Sequence, residues 1–205
     1  MNDTEYYNFI KPYEDAQQIM LTRLDILDHS LYDSASSPPI HYIQCRIKAK
    51  QSLEDKLQKK EIACTVENAK DYLHDIAGIR VICYFVDDIF NLAAVLKRQT
   101  DLIIIRERDY IANPKPNGYR SYHLITGVPV YCLDGMEYFP VEIQFRTISM
   151  DFWASMEHRI SYKKNRGNQE LLTAELKEYA DILVNIEERF ERHNEEEHRK
   201  RQTES

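Results

Sequence analysis

Glycine is scarce in this chain. Only five stand among 205 residues, at positions 78, 118, 127, 135 and 167, and no two have the spacing of a Walker A loop or a Gly-x-Gly dinucleotide turn. A nucleotide bound here must therefore have its phosphates held by charged side chains. Cysteine is almost as rare: Cys45, Cys64, Cys83 and Cys132 lie far apart and form no Cys-x-x-Cys pair, so reduced structural thiols are expected in place of zinc ligands or disulfides. No apolar run approaches the ~18 residues of a membrane span. Met1 opens directly onto polar residues without a signal-peptide pattern, so a cytosolic protein with no membrane partner is expected. Positive charge is in deficit too, 27 Lys and Arg against 34 Asp and Glu for a net charge of -7, which argues against a general nucleic-acid binder. What is present is a core: 43% of the residues are hydrophobic and 11% aromatic, enough for one folded domain.

The acidity is not spread evenly. Residues 1–33 sum to -5 and residues 178–205 to -4, which leaves 34–177 at +2. Both acidic ends read as helices. Tyr6, Phe9, Ile10, Tyr13, Ala16, Met20, Leu24, Leu27 and Leu31 recur at three- and four-residue steps and share one helical face. Leu172, Leu176, Tyr179, Leu183, Ile186 and Phe190 alternate steps of four and three, the spacing of a helix packed along another helix. Each stripe suits either a cover for the sheet of its own subunit or a subunit interface. Beyond Phe190 the chain has almost no apolar residue and reads as a solvated end.

Between these ends, 79–86, 102–108, 122–131 and 138–145 are rich in β-branched and aromatic residues and bounded by turn signals, which predicts strands, with a short one at 42–48. Helices are predicted at 52–60, capped by Ser52, and at 66–74, 87–99 and 150–162. Asp134-Gly135 marks a hairpin between the last two strands, and a Ser-Pro patch at 34–39 separates the first helix from the rest. This order predicts an α+β domain, with helices against a largely antiparallel or mixed sheet.

Three segments carry possible chemistry. In Val141-Glu142-Ile143-Gln144-Phe145-Arg146 the apolar residues alternate with a carboxylate, an amide and a guanidinium, so one strand face presents all three. A merely solvated strand would alternate as well. Asp75, just before the strand that holds Arg80, supplies a second carboxylate, and two carboxylates beside substrate phosphates suit magnesium. The second segment is basic: Arg46, Lys48, Lys50, Lys56, Lys59 and Lys60 fall close together around Ser52, and Arg46 and Lys48 alternate on a strand so that they point the same way. A solvated helix face would account for Lys50 and Lys60. The third runs from Lys115 to His123, a Pro- and Gly-bracketed turn that interleaves aromatic and basic residues and suits stacking on a base. Arg106 and Arg108 could stack on a purine in the same way.

Taken together, Asp-Ile-Ala-Gly-Ile-Arg at 75–80, Asn-Gly-Tyr-Arg-Ser-Tyr-His at 117–123, Val-Glu-Ile-Gln-Phe-Arg-Thr at 141–147 and Trp-Ala-Ser-Met-Glu-His at 153–158 resemble the synthetase domain of the RelA/SpoT family. The resemblance runs from about Tyr42 to Lys164, and in length the chain is similar to the single-domain small alarmone synthetases, in particular the RelP-like group. It implies a nucleotidyltransferase-like mixed sheet flanked by helices, organised as an N-terminal helix (1–33), a catalytic core (40–164) and a C-terminal helix (168–200). It implies transfer of the β,γ-pyrophosphate of ATP to the 3′-hydroxyl of GDP or GTP, giving (p)ppGpp and AMP. By motif, Asp75 and Glu142 would bind Mg²⁺, and Glu142 would also be the general base. Arg46, Lys48, Ser52, Lys56 and Lys59 would hold the ATP phosphates, with Arg80 and Arg108 flanking adenine. Tyr119 would stack on guanine, with Lys115, His123, Gln144, Asp151 and Glu157 around the acceptor. The resemblance also implies a homotetramer. His74-Asp75 is a lone pair without the ligand set of the family's hydrolase domain, so no hydrolase activity is expected, and without a regulatory domain no ribosome requirement. In relatives activated by their own product, the first helix contributes Lys and Arg. Here it offers Leu21, Arg23, Asp25 and Asp28, so such activation is not expected. The alternative reading is a non-catalytic nucleotide- or RNA-binding module, which would use the same basic and aromatic residues but has no need of Asp75 and Glu142 together.

Overall fold

The computed structural model describes residues 1–31, 38–161 and 169–204. Most of the Ser-Pro patch at 34–39, and Tyr162 at the end of the helix expected over 150–162, lie outside the described residues. Eleven elements follow in the order α1 (Asp3–Ser30), β1 (Ile40–Ile47), α2 (Lys50–Gln58), α3 (Val66–Tyr72), β2 (Ala77–Cys83), α4 (Val86–Lys97), β3 (Ile103–Asp109), β4 (Tyr122–Cys132), β5 (Gly135–Thr147), α5 (Ile148–Ser161) and α6 (Gln169–Glu204). The five strands form one sheet in the order β1-β2-β5-β4-β3. Only the central β2–β5 pair is parallel; β1–β2, β4–β5 and β3–β4 are antiparallel. The fold is the expected α+β class with a mixed sheet.

The two faces of the sheet differ as the alternation predicts. Ile79, Val81 and Cys83 of β2 and Val141, Ile143 and Phe145 of β5 are buried in the main core with Ile89, Leu92 and Leu96 of α4. The stripe of α1 covers the same core: Tyr6, Phe9, Ile10, Tyr13, Ala16, Met20, Leu24 and Leu27 are all buried, so this helix serves its own subunit's sheet. Leu31 ends that stripe exposed, because it is the C-cap and has left the helix. Gln17 is a polar residue in the same buried row. Its amide donates to Arg46 O (3.0 Å) and Gly78 O (2.9 Å), tying α1 to the β1–β2 seam.

The helix expected at 52–60 begins two residues earlier. Ala49 occupies the N-cap position without a side-chain bond, and Ser52 lies exposed in the first turn, so it is not the cap. Thr65 caps α3 instead, accepting from Asn68 N at 3.2 Å. The C-terminal heptad also separates into two faces: Leu176 and Ala180 are buried against Trp153 of α5, with Leu172 and Leu183 packed beside them, whereas Tyr179, Ile182, Ile186 and Phe190 are 45–65% exposed. Leu172, Leu176 and Leu183 form one packed face, and Tyr179, Ile186 and Phe190 belong to another. All four cysteines are free, but only Cys83 is fully buried; Cys45 and Cys132 are exposed, so these two are not core thiols.

Burial gives a direct test of this core. The Tyr13 hydroxyl is buried with no hydrogen-bond partner among the described residues, and burial holds it protonated. Removing an unpaired buried hydroxyl has little cost, so Tyr13→Phe is expected to leave the urea midpoint unchanged or raised. Met20→Ala, at a residue with no exposure, should cost about 2–5 kcal/mol.

Candidate functional site

Strand register places the polar residues in rows across the face opposite α1. Gln44 pairs with Arg80, Arg80 with Gln144, Gln144 with His123, and His123 with Arg108, so one row spans all five strands. In the next row Arg46 lies opposite Gly78, Gly78 opposite Glu142, and Glu142 opposite Ile125. Gln44, Arg46, Asp75, Gly78, Arg80, Glu142 and Gln144 line one open concavity of ≈ 470 Å³. A Cβ on Gly78 would meet only Arg46, at 3.8 Å and 4.0 Å, so its missing side chain deepens this floor.

Asp75 is the electrostatic centre of the concavity's near end. One of its oxygens, Oδ2, accepts from both Lys48 Nζ and Lys56 Nζ, the latter at 2.7 Å. Burial alone would raise its pKa, but the hydrogen bonds and charges of the two lysines outweigh burial and hold the carboxyl below its ordinary value. Its other oxygen, Oδ1, is buried without a hydrogen-bond partner among the described residues. Across the β2–β5 pair, Glu142 Oε2 accepts from Gln144 Nε2 at 3.0 Å, and Oε1 lies 3.6 Å from His123 Nδ1. No group of three or more His, Cys, Asp or Glu is arranged to hold a metal among the described residues. Two hard carboxylates, one with an unpaired buried oxygen, nevertheless fit an ion such as Mg²⁺ that keeps waters and takes substrate phosphates as further ligands.

At the far end, the 115–120 turn carries an aromatic and cationic cluster. Lys115 Nζ lies over the rings of Tyr110 (5.0 Å) and Tyr119 (4.7 Å), and Arg146 lies over Tyr119 at 5.4 Å. Tyr119 Oη accepts from Arg146 Nη2 at 3.0 Å, which leaves its own proton to donate to His123 Nε2 at 2.9 Å. Asp151 Oδ1 bridges Arg146 Nη1 (2.9 Å) and Arg80 Nη1 (3.4 Å). The carboxylate therefore stands between the two arginines and joins the near and far ends of the site. Arg108 donates to Tyr110 Oη at 3.1 Å. Glu157 is half-buried on α5, one turn after Trp153. Ser52 and Lys59 are the outliers: both are exposed, at opposite ends of α2.

Three residues around the site went unassigned in the sequence reading. Arg146, only 6% exposed, is the hub joining Tyr119, Gln144 and Asp151, and its place one step beyond Gln144 in the alternating strand was the available signal. Tyr110 packs edge-on against Tyr119 and His123, and nothing in its local sequence pointed to it. Glu187, buried on α6, bonds Arg120 and Ser149, a contact made across a sequence separation that no pattern reveals.

His123 yields a pH test. Burial first, then the charges of Arg146, Lys115 and Arg108, lower its pKa from 6.5 to about 4. The folded chain therefore keeps a neutral imidazole while the unfolded chain takes up a proton below pH 6.5, so stability is full above that pH and is lost as pH falls towards 4. Between pH 7 and pH 5 this group should cost roughly 1–2 kcal/mol of unfolding free energy. In urea titrations at the two pH values, His123→Asn should lose less stability than the wild type by that amount, and equal losses would refute the assignment.

Comparison with known proteins covers the same stretch of the chain. A model of the region found in RelA / SpoT proteins matches residues 45–167. The GTP pyrophosphokinase YwaC of Bacillus subtilis is 42% identical over 186 residues, covering 91% of this chain and 89% of that protein. Among solved structures, small alarmone synthetase 1 from Bacillus subtilis bound to its product pppGpp superposes with a TM-score of 0.83 at 31% identity, over 95% of this chain and 98% of that one. Small alarmone synthetase 2 from the same organism gives a TM-score of 0.82 at 41% identity, over 94% and 99%.

Proposed function

This chain belongs to the RelA/SpoT family and is a (p)ppGpp synthetase, and from that premise we propose how its own residues move the pyrophosphate of ATP to the 3′-hydroxyl of GDP or GTP. The observation that carries the assignment is the single polar face on which Asp75 and Glu142 line the same concavity as Arg46, with His123, the hydrogen-bond partner of Tyr119, one register row away. A module that only bound nucleotides would not need both carboxylates. We assign residues 1–205 to one synthetase domain.

Lys48 and Lys56 already gather at Asp75. An incoming triphosphate competes for the same ammonium groups, so these lysines and Arg46 are the proposed phosphate clamp, with Ser52 and Lys59 at its outer edge. Arg80 and Arg108 flank adenine. Tyr119 stacks on guanine, which takes the place of the Lys115 ammonium now over its ring, and Lys115, His123, Gln144, Asp151 and Glu157 border that acceptor. Asp75 and Glu142 would hold Mg²⁺, which would neutralise polyphosphate charge. Gln144 fixes one oxygen of Glu142, so the proton of the 3′-hydroxyl is taken on the other. The acceptor oxygen bonds the β-phosphorus as the α,β-bridge breaks and AMP departs, a displacement that depends on holding both substrates in line.

We assign the enzyme to the cytoplasm. The described residues contain no helix long and apolar enough to cross a membrane. The exposed Tyr179, Ile182, Ile186 and Phe190 on α6 support self-association, and a homotetramer is the proposed state. Neither hydrolase activity nor a ribosome requirement is proposed.

Incubation with ATP, GDP and Mg²⁺ should yield AMP and a slower-migrating guanosine product on thin-layer chromatography; absence of both would overturn the proposal. Glu142→Gln should abolish turnover while ATP still binds in equilibrium dialysis. Added pppGpp should leave the rate nearly flat, because Arg23 is already paired with Asp101 and Gln99 and its neighbours Asp25 and Asp28 are acidic. Strong activation would show that the charge argument missed a site.

A further inference from the structure

The turn that carries Lys115 and Tyr119 is backed by α6 at unusually close range. Gly118 adopts φ +88°, and a Cβ there would stand 2.5 Å from Ala180 Cβ, 3.2 Å from Lys177 Cα and 3.4 Å from Leu176 O. The turn therefore rests its backbone on the backbone of α6, and only glycine permits both the conformation and the approach. At the same level Trp153 of α5 donates its indole N–H to Leu176 O at 2.9 Å. Two turns further along α6, the buried Glu187 accepts from Arg120 Nη1 at 3.2 Å and from Ser149 Oγ at 2.7 Å. Arg120 directly follows Tyr119, and Ser149 stands two residues before Asp151. One carboxylate thus joins the acceptor turn to the start of α5.

A buried ion pair of this kind is seldom the most stable choice for its volume, and its best-attested use is to fix one register among several. We propose that α6 is the positioning element of the acceptor side: Glu187, through Arg120 and Ser149, and Ala180, through Gly118, set where Tyr119 and Lys115 stand. Both are positioning residues, since they touch the turn and not the substrate. The inference rests on reading the Tyr119 turn as the guanosine-nucleotide site. The clamp assigned to the ATP phosphates hangs instead from β1, Lys48 just after it, and α2, so a disturbed α6 register acts on the acceptor far more than on those phosphates.

The test uses the full chain and two calorimetric titrations, one with GDP and one with an ATP analogue carrying a methylene between its α and β phosphates. Trp153, the single tryptophan, sits 6.2 Å from the Tyr119 ring and supplies an independent emission signal. Glu187→Gln keeps the shape of the side chain and removes its charge; Ala180→Val pushes against Gly118. Each should weaken GDP binding about tenfold, with a matching rise in KM for the acceptor. Affinity for the ATP analogue and kcat at saturating acceptor should stay within about twofold, and Glu187→Asp should recover part of the loss. The GDP-induced change in Trp153 emission should shift to higher GDP in step. Unchanged GDP affinity in folded variants would overturn the inference while leaving the acceptor site intact. Parallel loss of both nucleotides together with a lower melting temperature would reduce α6 to a structural support and overturn it equally. Failure of the wild type to bind GDP would remove the acceptor-site reading and the inference with it.

Discussion

The parallel pairing of β2 with β5 decides which side chains in this molecule can meet. These strands are separated in sequence by α4, β3 and β4, yet they lie side by side at the centre of the sheet with Gly78 opposite Glu142 and Arg80 opposite Gln144. A parallel ladder keeps side chains of one face in unbroken rows, so the alternation of β5 and the alternation of β2 add up to one polar surface. The antiparallel neighbours extend the rows to Gln44 and Arg46 on one side and to His123 and Arg108 on the other. A one-residue slip would send Glu142 and Gln144 into the core under α1, and the fully buried Val141, Ile143 and Phe145 make such a slip prohibitively costly. The same apolar residues that stabilise the fold thus fix the register of the polar face.

Charge is managed within this frame by pairing rather than by excess. Lys48 and Lys56 share one oxygen of Asp75, while Arg80 and Arg146 share one oxygen of Asp151. Each of these two carboxylates therefore faces two cations, a local surplus of one positive charge in either cluster. This local surplus suits a polyphosphate, and it explains how a chain with a net charge of -7 can hold anionic substrates without becoming a general polyanion binder.

Much of this was legible in the sequence for a physical reason. Period-two alternation in 141–146 and the stripe of α1 report burial directly, so the strands, the α+β class and the apolar side of β5 and of α1 followed from local pattern. Strand and helix limits moved by a few residues where backbone context overrode a side-chain signal, as at Ser52, which sits inside α2 instead of capping it. The carboxylates, basic residues and turn that line the site were readable because they are concentrated in short motifs. Tyr110 and Glu187 were not assigned, since each owes its role to contacts across the fold, whereas Arg146 was marked by the alternation but not by its partners. The heptad of α6 held for part of its length: Leu172, Leu176 and Leu183 pack along α5 as the spacing implies, whereas Tyr179, Ile186 and Phe190 of the same period are exposed.

Gly78 carries a consequence for how this surface is shaped. The protein itself leaves ample room for a methyl group there: the nearest atoms, both of Arg46, would be at ordinary van der Waals distance. The chain's folding places no demand on the absent side chain. What the omission shapes lies above the sheet, where a bare stretch of backbone between Arg46 and Glu142 keeps the concavity open down to the level of the strands. In a protein with so few glycines, this one works as a measured depth, holding open by omission the space that the surrounding side chains enclose.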